Sequence, residues 1–260
     1  MRIAVIADIH GNILALDAVL EDLARRGGAD LVVNLGDCVS GPLWPRETFE
    51  RLEALGFPTV RGNHDRRPGE DPLGEMGPSD RFAYDRLTAT QRDSLLALPL
   101  QLEIVPSVLA FHARPDHDEK YLTEIISSGR LVRAPLAAIR NRLKALEPRF
   151  RILLGGHSHR TELIMLPGGP VIFNPGSVGC PAYDDPTEPA HVSEQGSPHA
   201  RYGIVELTGG DAGTGRFEAI AVGYDHEAAA MRAEESGRPQ WAHALRTGFI
   251  PRGEDDLPSA

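Results

Sequence analysis

RIAVIADIHGN, residues 2–12, decides the fold. Its first part, Arg2 to Ala7, is an apolar run with β-branched residues, the composition of a strand buried on both faces. Where the run ends the chain can turn, so that Asp8 and His10, two residues apart, face one point. Residues 13–26 then place Leu14, Ala15, Val19, Leu20 and Leu23 at helical spacing, and Gly27-Gly28 stops that helix. The next apolar run, Leu31 to Leu35, delivers Gly36-Asp37. Pro45 suits the start of a helix reaching about Leu55. Thr59-Val60-Arg61 reads as a third strand and delivers Gly62-Asn63-His64-Asp65. This β-α-β-α-β order predicts a right-handed, mainly parallel sheet, and in such sheets ligands gather outside the carboxyl ends of the strands.

Beyond residue 65 the pattern loosens. Residues 66–80, acidic and bearing proline and glycine, read as a loop, and a helix is expected over 88–97. Residues 100–105 and 107–112 read as paired strands, the second ending at His112. Helices are expected over about 119–146. Ile152-Leu153-Leu154 is a strand that leads into Gly155-Gly156-His157-Ser158-His159. Residues 162–166 and 170–173, around Pro167-Gly168-Gly169, read as a hairpin, and 180–200 as a long loop. Late strands are expected at 203–207 and 216–223, helices over 226–247, and a frayed tail over 251–260. With no repeat and no clear linker, the expectation is one domain over 1–260, with a lid or insertion around 66–98 and a helical extension over 225–250.

The chain has 260 residues, 41% of them hydrophobic and 25% charged, which suits a soluble protein with a full core. No apolar stretch is long enough to span a bilayer. The start lacks the apolar region of a signal peptide, so a cytoplasmic protein is expected. Cys38 and Cys180, the two cysteines, form no CxxC pair and support neither a disulfide framework nor a zinc–thiolate site. Buried thiols are the expectation for both. The net charge of −10 works against binding nucleic acid or acidic lipid, whose phosphates need a basic surface. A small anionic substrate is compatible if the site carries its own positive charge.

Five clusters of metal-liking residues thus follow in order: Asp8-x-His10, Gly36-Asp37, Gly62-Asn63-His64-Asp65, His112, and Gly156-His157-Ser158-His159. Each alone has a plainer reading, as a cap, a turn or an ordinary histidine. In sequence at strand ends, they converge on one sheet edge. There a carboxylate such as Asp37 can bridge two cations about 3.5–4 Å apart. Asn63 offers a carbonyl oxygen, and His112, His157 and His159 offer imidazole nitrogens. Nitrogen and oxygen donors without thiolate suit two divalent transition-metal ions, Mn, Fe, Zn, Co or Ni, better than Mg or Ca; Mn is favoured. Two such ions against the carboxylates Asp8 and Asp37 leave a local cationic hole in an acidic protein. Asn12, Arg61 and Arg114 are candidate substrate contacts, although Asn12 equally suits a helix cap. His117, His191, His199, His226 and His243 are expected to be solvated.

Taken together, these clusters resemble the calcineurin-like metallophosphoesterase superfamily over residues 8–159. Residues 174–179, NPGSVG, extend the resemblance to its compact prokaryotic phosphodiesterase-like branch. The resemblance implies an α/β fold, a four-layer α/β/β/α sandwich of two mixed sheets flanked by helices, with a dinuclear centre between the sheet edges. It implies that Asp8, His10, Asp37 and His159 hold one metal and Asp37, Asn63, His112 and His157 the other. His64 would protonate the leaving oxygen or stabilise the developing charge, with Asp65 orienting it. The implied reaction is hydrolysis of a small phosphodiester or phosphomonoester by a hydroxide bridging the metals. One alternative is a serine/threonine protein phosphatase, weakened because residues 36–42, GDCVSGP, lack the arginine of the GDxVDRG string. A nuclease is weakened by the acidic charge and the absence of a basic or aromatic stripe. A non-catalytic scaffold on the same fold is weakened by the presence of His64 and every ligand.

Overall fold

The first strand behaves as its alternation dictates. In the computed structural model, which describes residues 1–207 and 215–253, β1 (Arg2–Ile6) turns Ile3 and Val5 to one side and Ala4 and Ile6 to the other. All four are buried, and the two-residue period of an extended chain then demands an apolar layer on each face. The helix α1 (Ile13–Arg25) covers one face with Leu16, Val19 and Leu23. Next, β2 (Leu31–Asn34) pairs parallel to β1. Then α2 (Pro45–Leu55) starts at its proline and ends on Gly56 in the left-handed conformation. The strand expected at 59–61 contributes a single parallel bridge, between Asn34 and Thr59.

Three short helices follow: α3 (Asn63–Glu70), α4 (Pro78–Tyr84) and α5 (Ala89–Leu96). The expected loop over 66–80 is corrected in both halves. The helix α3 starts because the Asp65 carboxylate accepts the Gly62 N–H at 2.9 Å. Pro78 opens α4 where its missing N–H has no partner to lose. The strands β3 (Gln101–Val105) and β4 (Val108–Phe111) are paired, as expected, and run antiparallel. Where the sequence predicts helices over about 119–146, β5 (Glu124–Ser127) and β6 (Arg130–Arg133) form a hairpin, followed by α6 (Leu136–Arg142). Ser128 and Gly129 between them both take left-handed φ, 50° and 69°, the geometry of a two-residue hairpin turn.

Then β7 (Ile152–Leu154), β8 (Thr161–Met165) and β9 (Val171–Pro175) complete the central run. The expected loop at 180–200 contains β10 (Ala182–Asp185) and β11 (His191–Glu194), and the chain continues through β12 (Ala200–Leu207), β13 (Gly215–Val222), α7 (His226–Glu235) and α8 (Pro239–Thr247). One mixed sheet has the order β13-β12-β1-β2 and the other β3-β4-β7-β9-β8. Between them, Ile3, Val5 and Val33 meet Val108, Ile152, Leu154 and Phe173. Ile139 and Leu143 cover the outer face of the second sheet against Leu109, Leu153 and Ile172. The result is the expected four-layer sandwich, to which β10-β11-β6-β5 adds a third sheet. The helices α7 and α8 pack Ala229, Ala230, Ala242 and Leu245 against Leu43. Of the tail expected to fray, residues 254–260 lie outside the described residues. Among the described residues, no helix is long and apolar enough to cross a membrane.

Ile139 is 0% exposed between α6 and the second sheet, whereas Leu163 on β8 is 52% exposed. Ile139→Ala is expected to lower unfolding free energy by about 2–5 kcal/mol. Leu163→Ala should stay within about 0.5 kcal/mol of the parent. Denaturant melts of the two variants check this.

Candidate metal centre

Every candidate ligand except Asn63, which opens α3, sits where a strand stops. Asp8 and His10 follow β1, Asp37 follows β2, His112 follows β4, and His157 and His159 follow β7. Backbone bonds stitch these turns together. The Asp8 N–H donates to the Gly36 carbonyl at 3.0 Å, that of His10 to Asp37 at 3.0 Å, and that of Gly156 to His112 at 2.7 Å. Six described non-glycine residues have positive φ, and five of them are Asp8, His10, Asp37, His157 and His159. Such conformations cost about 1–3 kcal/mol each and persist only where the surroundings over-determine them. The bracing groups are visible. Asp65 accepts the N–H groups of Asp37 at 2.8 Å and of Cys38 at 2.9 Å, besides that of Gly62. Ser177 Oγ donates to the Asp8 carbonyl at 2.7 Å, and Asn174 Nδ2 to the Gly156 carbonyl at 2.8 Å. Close approach also requires glycine at two positions: a Cβ at Gly62 would collide with Asp37 Oδ1, and one at Gly179 with the Ile9 carbonyl.

The turns assemble two groups of side chains able to hold a metal ion. Asp8, His10, Asp37 and His159 form one, and Asp37, His112 and His157 the other, with ligand atoms in each group within 4.8 Å of one another. Asn63 Oδ1 lies 3.2 Å from His112 Nε2, and Asp37 Oδ2 lies 3.3 Å from the same nitrogen. Imidazole orientation tests the fit. His10, His112 and His159 set Nδ1 against the carbonyls of Ser40, Leu35 and Cys180, at 2.9, 2.7 and 2.8 Å. A carbonyl only accepts, so each Nδ1 carries its hydrogen and Nε2 is the atom turned to the cluster. His10 Nε2 and His159 Nε2 stand 3.1 Å apart, a contact between two acceptors that calls for a cation. Neither group contains a thiol, and both cysteines are buried. The donor set fits a divalent metal.

The ionisation pattern points the same way. Burial lowers His10 to about 4 against the pull of Asp37, and drives His157 and His159 well below the ordinary histidine value. These imidazoles are neutral, as metal ligation requires. Burial pushes Asp8 up to about 8, with His112 and Asp37 pulling in opposite directions. Burial also opposes the charges of Asp37 and His112, yet their mutual attraction wins. Asp37 stays well below the carboxylate range, and His112 rises to about 10. Protons held at Asp8 and His112 stand where cations compete.

His64 stands beside both groups, its side chain 25% exposed. Its Nδ1 lies 2.6 Å from Asp80 Oδ1, and Ser40 Oγ donates to that same oxygen at 2.7 Å. This corrects the expectation that Asp65 orients His64. The partner is Asp80, delivered by α4, while the Asp65 oxygens hold backbone N–H groups. No local pattern marks Asp80, because Pro78-Ser79-Asp80 lies in a stretch whose composition predicts a loop. Asn12 caps α1, accepting the Ala15 N–H at 3.2 Å, and its amide donates to the Gly179 carbonyl and the Tyr224 hydroxyl, both at 3.1 Å. Arg61 donates to the Leu96 carbonyl at 3.2 Å and Arg114 to the Tyr121 carbonyl at 3.0 Å, so Arg61 holds the end of α5 and Arg114 the loop before β5. Arg67 pairs with Asp80 at 3.6 Å and with Glu119. His191, expected to be solvated, is only 6% exposed.

Residues 1–161 match the calcineurin-like phosphoesterases, and the chain belongs to that family. A curated relative, an uncharacterized protein of Methanocaldococcus jannaschii, is 31% identical over 145 residues. That match spans 50% of this chain and 59% of the relative, less than two thirds of its length. The crystal structure of a metallophosphoesterase from Sphaerobacter thermophilus is 26% identical with a TM-score of 0.70, covering 96% of this chain and 100% of that one. A hypothetical protein from Pyrococcus horikoshii OT3 shares the fold, with 21% identity, a TM-score of 0.72, and coverage of 96% and 99%.

Asp65→Ala would leave three buried N–H groups without an acceptor. It is expected to destabilise the protein by at least about 3 kcal/mol, read as a fall in the denaturant midpoint. A loss below about 1 kcal/mol would show that Asp65 does not brace the ligand turns.

Proposed function

We propose that the chain hydrolyses a small phosphodiester or phosphomonoester at a dinuclear metal centre. The observation that carries this reading is Asp37, common to both ligand groups. Its Oδ1 accepts the His64 N–H at 2.9 Å, while Oδ2 faces His112 at 3.3 Å and His10 at 3.8 Å. Asp8, His10, Asp37 and His159 would hold one cation, and Asp37, Asn63, His112 and His157 the other. When bound, such a pair supplies a water of lowered pKa and positive charge against the phosphoryl oxygens. Nitrogen and oxygen donors favour Mn, Fe, Zn, Co or Ni, with Mn first. The net charge of −10 supports a small substrate drawn by the site over a polyanion drawn by the surface.

The chain's own residues handle the leaving group. His64 Nδ1 faces a carboxylate, which only accepts, so the proton available for transfer sits on Nε2. Burial works against the imidazolium, but the Asp80 and Asp37 charges outweigh it and raise the His64 pKa. The protonated ring therefore persists to higher pH than a free histidine. It donates from Nε2 to the departing oxygen, while Asp80 keeps the ring oriented.

With Mn²⁺, the protein is expected to hydrolyse 4-nitrophenyl phosphate or bis(4-nitrophenyl) phosphate, to stop with EDTA, and to recover on adding Mn²⁺ back. His64→Ala should lower kcat by about 10²–10⁴-fold with metal content unchanged by elemental analysis. Inactivity toward mono-, di- and cyclic phosphoesters with all five metals would sink the reading. Asp80→Asn supplies a separate check. Removing a negative neighbour lowers the His64 pKa, so the acid loses its proton at lower pH. The alkaline limb of the kcat profile should therefore move to lower pH, and an unmoved limb would mean that Asp80 does not act through His64.

A further inference from the structure

Beside the ligand cluster, the third sheet and the loop before it contribute three hydrogen-bonded side chains. Tyr121 lies in that loop, Tyr183 on β10 and His191 on β11. The two phenol oxygens are 2.7 Å apart, and Tyr121 Oη is 2.7 Å from His191 Nε2. His191 Nδ1 faces the Pro189 carbonyl at 3.0 Å. The carbonyl only accepts, which gives the chain a direction. His191 donates from Nδ1, Nε2 accepts from the Tyr121 hydroxyl, and the Tyr121 oxygen accepts from Tyr183. Burial raises both phenols above the ordinary tyrosine range, so both keep their hydrogens.

The two rings rest on the two histidines of the Gly156-His157-Ser158-His159 turn. Tyr121 lies over His157, with centroids 4.8 Å apart and planes at 33°. Tyr183 meets His159 edge-on at 4.6 Å and 70°. Ser193, also on β11, donates to the Ser158 carbonyl between them at 2.6 Å. Both histidines hold left-handed backbone, φ 67° and 57°, and so depend on outside support. They also belong to different ligand groups, His159 to one and His157 to the other.

We propose that Tyr121, Tyr183 and His191 form a latch that positions His157 and His159 and thereby links the two metal positions to each other. The inference rests on the dinuclear reading of the site. The three are positioning residues: they touch ligands, and the phenol-to-phenol bond lets a disturbance at one metal position reach the other. Outer partners of metal ligands typically govern affinity by about 10–100-fold, and a shared chain makes their removal non-additive.

Titration calorimetry of MnCl₂ into the EDTA-stripped, dialysed full-length protein tests this, alongside the melting temperature of the metal-free form. The wild type is expected to take up two ions. Tyr121→Phe, at the centre of the chain, should weaken both by about 10-fold or more, with the metal-free melting temperature unchanged. Tyr121→Phe/Tyr183→Phe should be little worse than Tyr121→Phe alone. His191→Gln, which keeps an acceptor, should retain affinity that His191→Leu loses. Phenylalanine variants that bind both ions as the wild type does overturn the latch and leave the dinuclear reading standing. A matching fall in the metal-free melting temperature also overturns it, by assigning the loss to folding. Fewer than two ions on the wild type sinks the dinuclear reading itself, and the latch with it.

Discussion

Two carboxylates buried side by side set the terms for this structure. Asp8 is 0% exposed and Asp37 1% exposed, and taking anions out of water costs several kcal/mol each unless opposite charge or hydrogen bonds compensate. The protein compensates in every available way. His112 lies 3.3 Å from Asp37 Oδ2, backbone N–H groups of His64 and His157 point at Asp37 and Asp8, and burial pushes Asp8 toward holding a proton. Each device partly offsets a negative charge that bound divalent cations would offset more completely.

The sandwich explains how residues so far apart in sequence reach that pair. Asp8 and Asp37 come from one sheet, and His112, His157 and His159 from the other. An apolar interior of Ile3, Val5, Val33, Val108, Ile152 and Leu154 fixes the spacing of the sheets. Polar links bridge the edge above it, His112 Nδ1 to the Leu35 carbonyl at 2.7 Å and the His157 N–H to Asp8 Oδ2 at 3.1 Å. The interior thus sets the distance and the edge sets the orientation. Left-handed backbone at five candidate ligands is tolerable because Asp65, Asn174 and Ser177 fasten the turns. That also explains the NPGSVG stretch: its asparagine and serine hold the two turns that carry Asp8 and His157.

The two Asp/His groups were legible because their chemistry is local. A β-branched run followed by Asp-x-His or Gly-His-Ser-His carries both the strand and the side chains at its end within a few residues. The periods of α1 and the strands around it make the opening order of elements legible, whereas the four-layer sandwich follows only from the family resemblance. What escaped depends on neighbours distant in sequence. Glu124 to Arg133 forms a hairpin on the left-handed Ser128-Gly129 pair, whereas the sequence pattern predicts helix there. His191 looked like any polar-loop histidine until β10 and β11 brought Tyr121 to it. Asp65 and Asp80 show the limit most clearly: adjacency to His64 favoured Asp65, whereas the folded chain gives the ring to a residue sixteen positions away.

Ser40 explains why that exchange is possible. It stands where the GDxVDRG string of the protein phosphatases has its second aspartate, so this turn lacks a carboxylate as well as the arginine. Its hydroxyl instead donates to Asp80 at 2.7 Å and lies 3.4 Å from His64 Nδ1, drawing a carboxylate from α4 into the position beside the ring. Asp80 in turn holds Arg67 at 3.6 Å, and Arg67 pairs with Glu119 in the loop that leads to Tyr121. His64 and Arg67 on α3 and Asp80 on α4 therefore come from helices packed beside the candidate ligand turns. The surroundings of the candidate ligand turns are accordingly set by α3, α4 and the loop at 113–121, through pairings that no strand-end motif encodes.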